Sequence, residues 1–146
     1  MNEKILLEIS KIEDLVQKSF VLLEKTKIQE PDFIELNAIG SILHSYYNGL
    51  ESIFKLIYKN FDEKPLSSKL WHSELLQAMF TQTEKHSQIL SSELFPALKN
   101  YLGFRHVFRH SYAYELNWQR LQPLFYEMNE NWYSVKKEIL NFIEKK

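Results

Sequence analysis

The chain is 146 residues long, enough for one domain with a real core, and its 45% apolar and 25% charged content is that of an ordinary globular protein. It contains no cysteine, which excludes disulfides, thiolate nucleophiles and zinc–thiolate sites, and only three glycines and four prolines, too few for the many turns of a strand-rich fold. The net charge of −1 excludes a histone-like polycation but hides an asymmetry: residues 1–98 sum to −4, residues 99–120 to +3, and residues 121–146 to zero.

The elements follow from apolar spacing. Over residues 3–25, Ile5, Ile9, Ile12, Val16, Phe20 and Leu23 recur at steps of three and four, one stripe of an amphipathic helix. The opening Met1-Asn2-Glu3-Lys4 leads into this acid-containing segment and does not read as a signal peptide. A polar break from Lys25 to Glu30 ends the helix, and Pro31 suits the first turn of the next. Phe33, Leu36, Ile39, Leu43, Tyr46, Leu50, Ile53, Ile57 and Phe61 then predict a second helix of about thirty residues. Gly40 and Gly49 inside it either cost about 1 kcal/mol each or admit a closely packed neighbour.

Asp62-Glu63-Lys64-Pro65 is the clearest loop, after which Ser67 or Ser68 can cap a third helix carrying Leu70, Trp71, Leu75, Met79 and Phe80. Thr81 to Ser87 reads as a polar connection. Ser91 or Ser92 can cap a fourth helix with Pro96 near its start and an apolar face of Leu94, Leu98, Tyr101, Leu102 and Phe108. A last helix starts near Asn117 and carries Trp118, Leu121, Phe125, Met128, Trp132, Val135, Ile139 and Phe142; Pro123 within it predicts a bend or a later start. The expected architecture is all-α, an antiparallel bundle of four to five helices in a single domain spanning residues 1–146. No apolar run is long enough to span a bilayer, so a cytoplasmic protein without a membrane partner is expected.

Chemistry concentrates in one place. All three arginines, Arg105, Arg109 and Arg120, fall within residues 105–120, and His106 and His110 share the run Phe104-Arg105-His106-Val107-Phe108-Arg109-His110-Ser111-Tyr112. Guanidinium suits phosphate and keeps its charge, while imidazole exchanges protons near neutrality. Arg105 and Arg109 lie four apart, as do His106 and His110, so each pair shares a helix face. Arg105 and His110 are five apart and diverge by about 140° on an ideal helix. A common active centre therefore requires the helix to end near Arg109, or a second subunit. The two histidines could share a metal ion, but no third ligand is evident, and neither a metal nor another cofactor is expected. Glu51 is a candidate partner for Arg105 or Arg109. Elsewhere His72 reads as a hydrogen-bonding residue near a helix start, His44 and His86 as surface or partly buried, Tyr46 and Tyr47 as core and interface, and the lysines of the tail as a solvated helix face.

Arg105, His110 and Tyr112 spell R-x4-H-x-Y, and with them the chain resembles the HepT-type toxins of the HEPN superfamily of helical ribonucleases. The stretches Tyr46–Phe54, Leu70–Leu76 and Glu115–Trp118 are also similar to that branch, and the resemblance covers nearly the whole chain. It implies a metal-independent endoribonuclease toxin of a type VII-like toxin–antitoxin pair. His110 would help activate the ribose 2′-hydroxyl, and Arg105 would stabilise the charged transition state. His106, which stands where many members carry a small polar residue such as Asn, Arg109 and Glu51 are the substrate-binding candidates. The resemblance further implies a two-fold homodimer with both motifs facing one cleft. Its partner would be a nucleotidyltransferase antitoxin that silences the toxin by adenylylating Tyr112; Tyr114, two residues on, is a competing acceptor. The alternatives are a non-catalytic HEPN module that docks the nucleotidyltransferase, and a generic helical dimer.

Overall fold

A computed structural model of the protein describes residues 1–61 and 65–145. Among these residues there are five α-helices and no strand: α1 (Asn2–Ile28), α2 (Phe33–Phe61), α3 (Trp71–Ala78), α4 (Phe95–His110) and α5 (Trp118–Glu144). Short 3-10 turns, Ser92–Leu94 and Ala113–Glu115, lead into α4 and link it to α5. The all-α bundle expected from apolar spacing is thus the observed architecture. The expected loop at Asp62-Glu63-Lys64 lies outside the described residues.

The central element is α2, which touches all four other helices. Its capping is local: the Asp32 carboxylate accepts from the Glu35 amide at 2.8 Å, and the Glu35 carboxylate accepts from the Asp32 amide at 3.1 Å. Pro31 therefore precedes the cap rather than sitting in the first turn. Lys25 reaches Glu35 at 2.7 Å across the α1–α2 corner. Ile12 meets Gly49, so α1 and α2 run antiparallel. Thr26 meets the Tyr126 hydroxyl while Glu13 accepts from the Trp132 indole, so α1 is antiparallel to α5 as well. Contacts of Tyr46 with Trp132 and of Phe61 with Phe142 then make α2 and α5 parallel neighbours.

Most of the expected stripes are buried, with informative exceptions. Phe20 is 52% exposed, whereas Ser19 and Thr26 turn inward. Both hydroxyls bond back to helix carbonyls, Leu15 O at 2.6 Å and Leu23 O at 2.7 Å, so they enter the core already satisfied. In α3 the expected serine cap is absent. Leu70 occupies the cap position and is exposed, and the Ser68 hydroxyl accepts from its amide. Nor does Ser91 cap a helix: its amide and hydroxyl both bond the Glu138 carboxylate, fastening the start of α4 to α5. Phe104 joins the buried face of α4, and His86, expected at the surface or partly buried, is fully buried against Phe61 and Phe142. Asn117 caps α5, so the helix starts where expected, and of the two outcomes expected at Pro123, a bend or a later start, the later start does not occur.

Two glycines set the spacing of the bundle. A Cβ at Gly49 would stand 2.7 Å from Ile12 Cγ1, and one at Gly40 would stand 2.9 Å from both Phe108 and Leu116. The close-contact reading of these positions is therefore the correct one, and Gly40 is what brings α2 against α4. Gly103, by contrast, has no such neighbour within 4 Å. Gly49→Ala gains about 1 kcal/mol of helix propensity but overpacks the α1–α2 seam, which costs about 1–3 kcal/mol. A net loss is expected. Gly103→Ala takes the propensity gain alone, about 1 kcal/mol. Urea midpoints of the two variants should move in opposite directions.

Candidate functional site

The polar run at 105–112 occupies the C-terminal half of α4 and the turn after it. The helix stays regular through His110 and stops where Ser111 takes an extended conformation (φ −104°, ψ 149°). The next turn is closed by a reciprocal pair of bonds: the Glu115 amide donates to the Tyr112 carbonyl at 2.9 Å, and the Tyr112 amide to the Glu115 carboxylate at 3.1 Å. Arg109 and His110 in the last turn face the negative end of the helix dipole.

Arg105 lies one turn deeper, with its side chain only 13% exposed. Its Nε donates to Asn48 Oδ1 at 2.9 Å, and its Nη2 stands 4.0 Å from Glu51 Oε1. Glu51 is 3% exposed, and its second oxygen lies 2.8 Å from His72 Nδ1. The His72 ring stacks on Trp71 at 3.6 Å, and the Lys55 ammonium lies 4.5 Å from the centre of the Trp71 ring. A guanidinium on α4 is thus tied through α2 to the first turn of α3. Beside this cluster, the Tyr47 hydroxyl is buried without a hydrogen-bond partner. Burial, and then the Glu51 charge, push its pKa far up.

The other polar residues of the run face outward. His106 and His110 lie one turn apart with ring centres 4.7 Å apart and planes tilted by 57°, and both are exposed, as is Arg109. Tyr112 and Tyr114 are 70% and 74% exposed, with parallel rings 5.6 Å apart. Arg120 lies at the start of α5, on the rim of a cleft of about 420 Å³ between α4 and α5 whose floor includes Phe104, Leu116 and Leu124. Among the described residues no group of three or more histidine, aspartate or glutamate side chains is arranged to hold a metal ion, and no helix is long and apolar enough to cross a membrane.

The structure therefore joins some of the sequence candidates and separates others. Arg105 and Glu51 meet, as do His106 and His110. Arg105 and His110 do not converge within one chain, because α4 neither ends nor distorts between them. Two residues beside Arg105 were missed by sequence reasoning, Asn48 and His44. His44 packs on Phe108 at 5.0 Å, with its Nδ1 buried and unpartnered, and its pKa is lowered by burial, then by Arg105 and Arg109. The available signal was the spacing of His44, Asn48 and Glu51, polar residues four and three apart and so on one side of α2.

A family model described as a HepT-like protein matches residues 38–146. The chain belongs to the HepT-like family. The match begins inside α2 and takes in every candidate residue of this HepT-like site, while α1 falls outside it, so the resemblance covers less than the nearly whole chain expected. Neither the curated proteins nor the solved structures hold a match to the chain.

The energetics of the Arg105 cluster can be tested on its own. Glu51→Ala leaves a largely dehydrated guanidinium without its counter-charge and His72 without its partner, and should destabilise the fold by about 3 kcal/mol. Glu51→Gln keeps an oxygen that can bond His72 and a dipole facing Arg105, and should lose less. Urea unfolding of the pair checks the order; equal stability of wild type and Glu51→Ala would show that the cluster holds nothing together.

Proposed function

We propose that this HepT-like chain is a metal-independent endoribonuclease, the toxin of a type VII-like toxin–antitoxin pair, acting in the cytoplasm as a two-fold homodimer of one helical domain, residues 1–146. The reading is carried by a guanidinium held rigid at Arg105 while His110, His106 and Arg109 stand free at the same helix end, in a chain of this family. In the reaction the ribose 2′-oxygen loses its proton and attacks the adjacent phosphorus, the P–O5′ bond breaks, and the 5′-oxygen takes up a proton. The products are a 2′,3′-cyclic phosphate and a 5′-hydroxyl. Arg105 stabilises the negative charge that grows on the phosphoryl oxygens, and its fixed orientation is what such stabilisation requires. His110 transfers a proton. Arg109 and His106 contact flanking phosphates, and Glu51 acts from behind Arg105 as a positioning residue. The need for a 2′-hydroxyl limits cleavage to RNA.

The 140° divergence of Arg105 from His110 on one helix is answered by the dimer, in which one copy contributes Arg105 and its partner contributes His110 to each centre. The local charge of +3 then becomes about +6 across the groove. Silencing follows the same geometry. The exposed Tyr112 hydroxyl attacks the α-phosphate of ATP held by a nucleotidyltransferase antitoxin, pyrophosphate leaves, and the adenylyl group adds negative charge where RNA phosphate must bind.

The same divergence favours a second reading if the chain is monomeric: a non-catalytic HEPN module whose basic helix end docks the nucleotidyltransferase. One assay separates the two. The purified dimer should cleave RNA in the presence of EDTA, and Arg105→Ala or His110→Ala should each lower kcat by about 100-fold or more with the fold intact. Full activity in both variants would remove the assignment, and an inert wild type would leave the docking module.

A further inference from the structure

Arg105 already has an imidazole beside it in its own chain, and it is not His110. Along α2, Asn48 takes the Arg105 Nε and Glu51 its Nη2. One turn before Asn48, on the same side of α2, is His44, whose ring rests on Phe108 of α4 with centres 5.0 Å apart. Phe108 lies between Arg105 and Arg109 in the sequence of α4, and these two guanidiniums are the charges that act on His44. Within one protomer a half-buried histidine is therefore packed on the stretch of α4 that carries Arg105 and Arg109.

We propose, on the ribonuclease reading given above, that His44 is a further catalytic residue, the general base that takes the 2′-hydroxyl proton at Nε2. The Nδ1 atom is sealed against protein without a hydrogen-bond partner, so Nε2 is the only ring atom that can exchange a proton with substrate. Burial, then Arg105 and Arg109, lower the pKa from its ordinary 6.5, which favours the neutral ring, and the tautomer with its proton on Nδ1 accepts at Nε2. Those two guanidiniums are also where a phosphodiester would bind, which would bring the 2′-hydroxyl of the same nucleotide to the ring. His110, from the partner copy, then has the complementary task of giving a proton to the departing 5′-oxygen. The proton count closes: one leaves O2′ for His44, one passes from His110 to O5′, and solvent restores both imidazoles.

The test uses the full-length dimer and a short fluorogenic RNA with a single cleavable ribose. His44→Gln keeps a polar side chain of similar size, and His44→Asn serves as its check, with urea midpoints recorded for both. Each should lower kcat by about 100-fold or more, leave KM within about threefold, and erase the acid limb of the kcat/KM–pH profile, which in wild type lies below the ordinary histidine value. A substrate with sulfur in place of the 5′-oxygen leaves as thiolate and needs no acid. His44→Gln should stay slow on it, whereas His110→Gln should recover. In wild type, a non-cleavable 2′-O-methyl RNA should move the His44 Nε2 resonance. If wild type cleaves RNA while both His44 variants keep its rate and pH profile, or if the sulfur substrate rescues His44→Gln, or if the His44 resonance does not move, the base assignment is overturned and the ribonuclease reading stands. If wild type does not cleave RNA at all, both fall.

Discussion

A charged guanidinium that has lost most of its water must be met by fixed acceptors, and the seam between α2 and α4 is built around that requirement at Arg105. Asn48 accepts from the Arg105 Nε, Glu51 supplies the counter-charge at 4.0 Å, and His72 of α3 bonds the other oxygen of Glu51. Gly40 removes the one Cβ that would keep α4 away from α2 at the other end of the seam. The orientation of Arg105 is thus set by three helices at once, whereas His110, one and a half turns further along, is set by none of them. A fixed guanidinium beside exposed imidazoles would suit phosphoryl chemistry, in which the charge-stabilising group must be preorganised.

The regularity of α4 has the larger consequence. Had the helix frayed or bulged at Arg109, Arg105 and His110 could have converged in a single chain. Instead the helix stays intact until Ser111, and the divergence that ideal geometry demands is retained. Each chain therefore presents its arginine on the α2 side and its motif histidine at the open end. The same arrangement leaves Tyr112 in the turn beyond the helix, held by Glu115 through the backbone only, with its phenol free for a partner.

Much of the fold was legible because its long helices carry long stripes. α1, α2 and α5 were bounded to within a few residues by apolar spacing alone, and the all-α class followed from them. What failed was local chemistry with several equivalent candidates. Four serines could cap α3 or α4 and none does so, since Ser91 is taken by Glu138 from α5, a long-range partner invisible in a local window. Phe20 was misread for a related reason: Ser19 and Thr26 satisfy their hydroxyls on their own helix and so can face inward, leaving the bulky ring outside. The candidate run was legible as a string, Arg105 to Tyr112, and the pairing of Glu51 with Arg105 is observed. His44 and Asn48 were not legible, because they join the site through the register of α2 against α4. That register is decided by Gly40 and Phe108 across the bundle and not by spacing within either helix.

The central claim is that Arg105 of one copy works with His110 of the other, and mixing two dead proteins tests it most directly. Arg105→Ala and His110→Ala homodimers, each inactive on RNA, are exchanged by brief unfolding and refolding together, with heterodimer content measured by differential tags. Each heterodimer then holds one centre with both groups intact, and RNA cleavage should return to about half the wild-type rate per heterodimer. Heterodimers that form in full yet remain as inactive as their parents would contradict the shared centre.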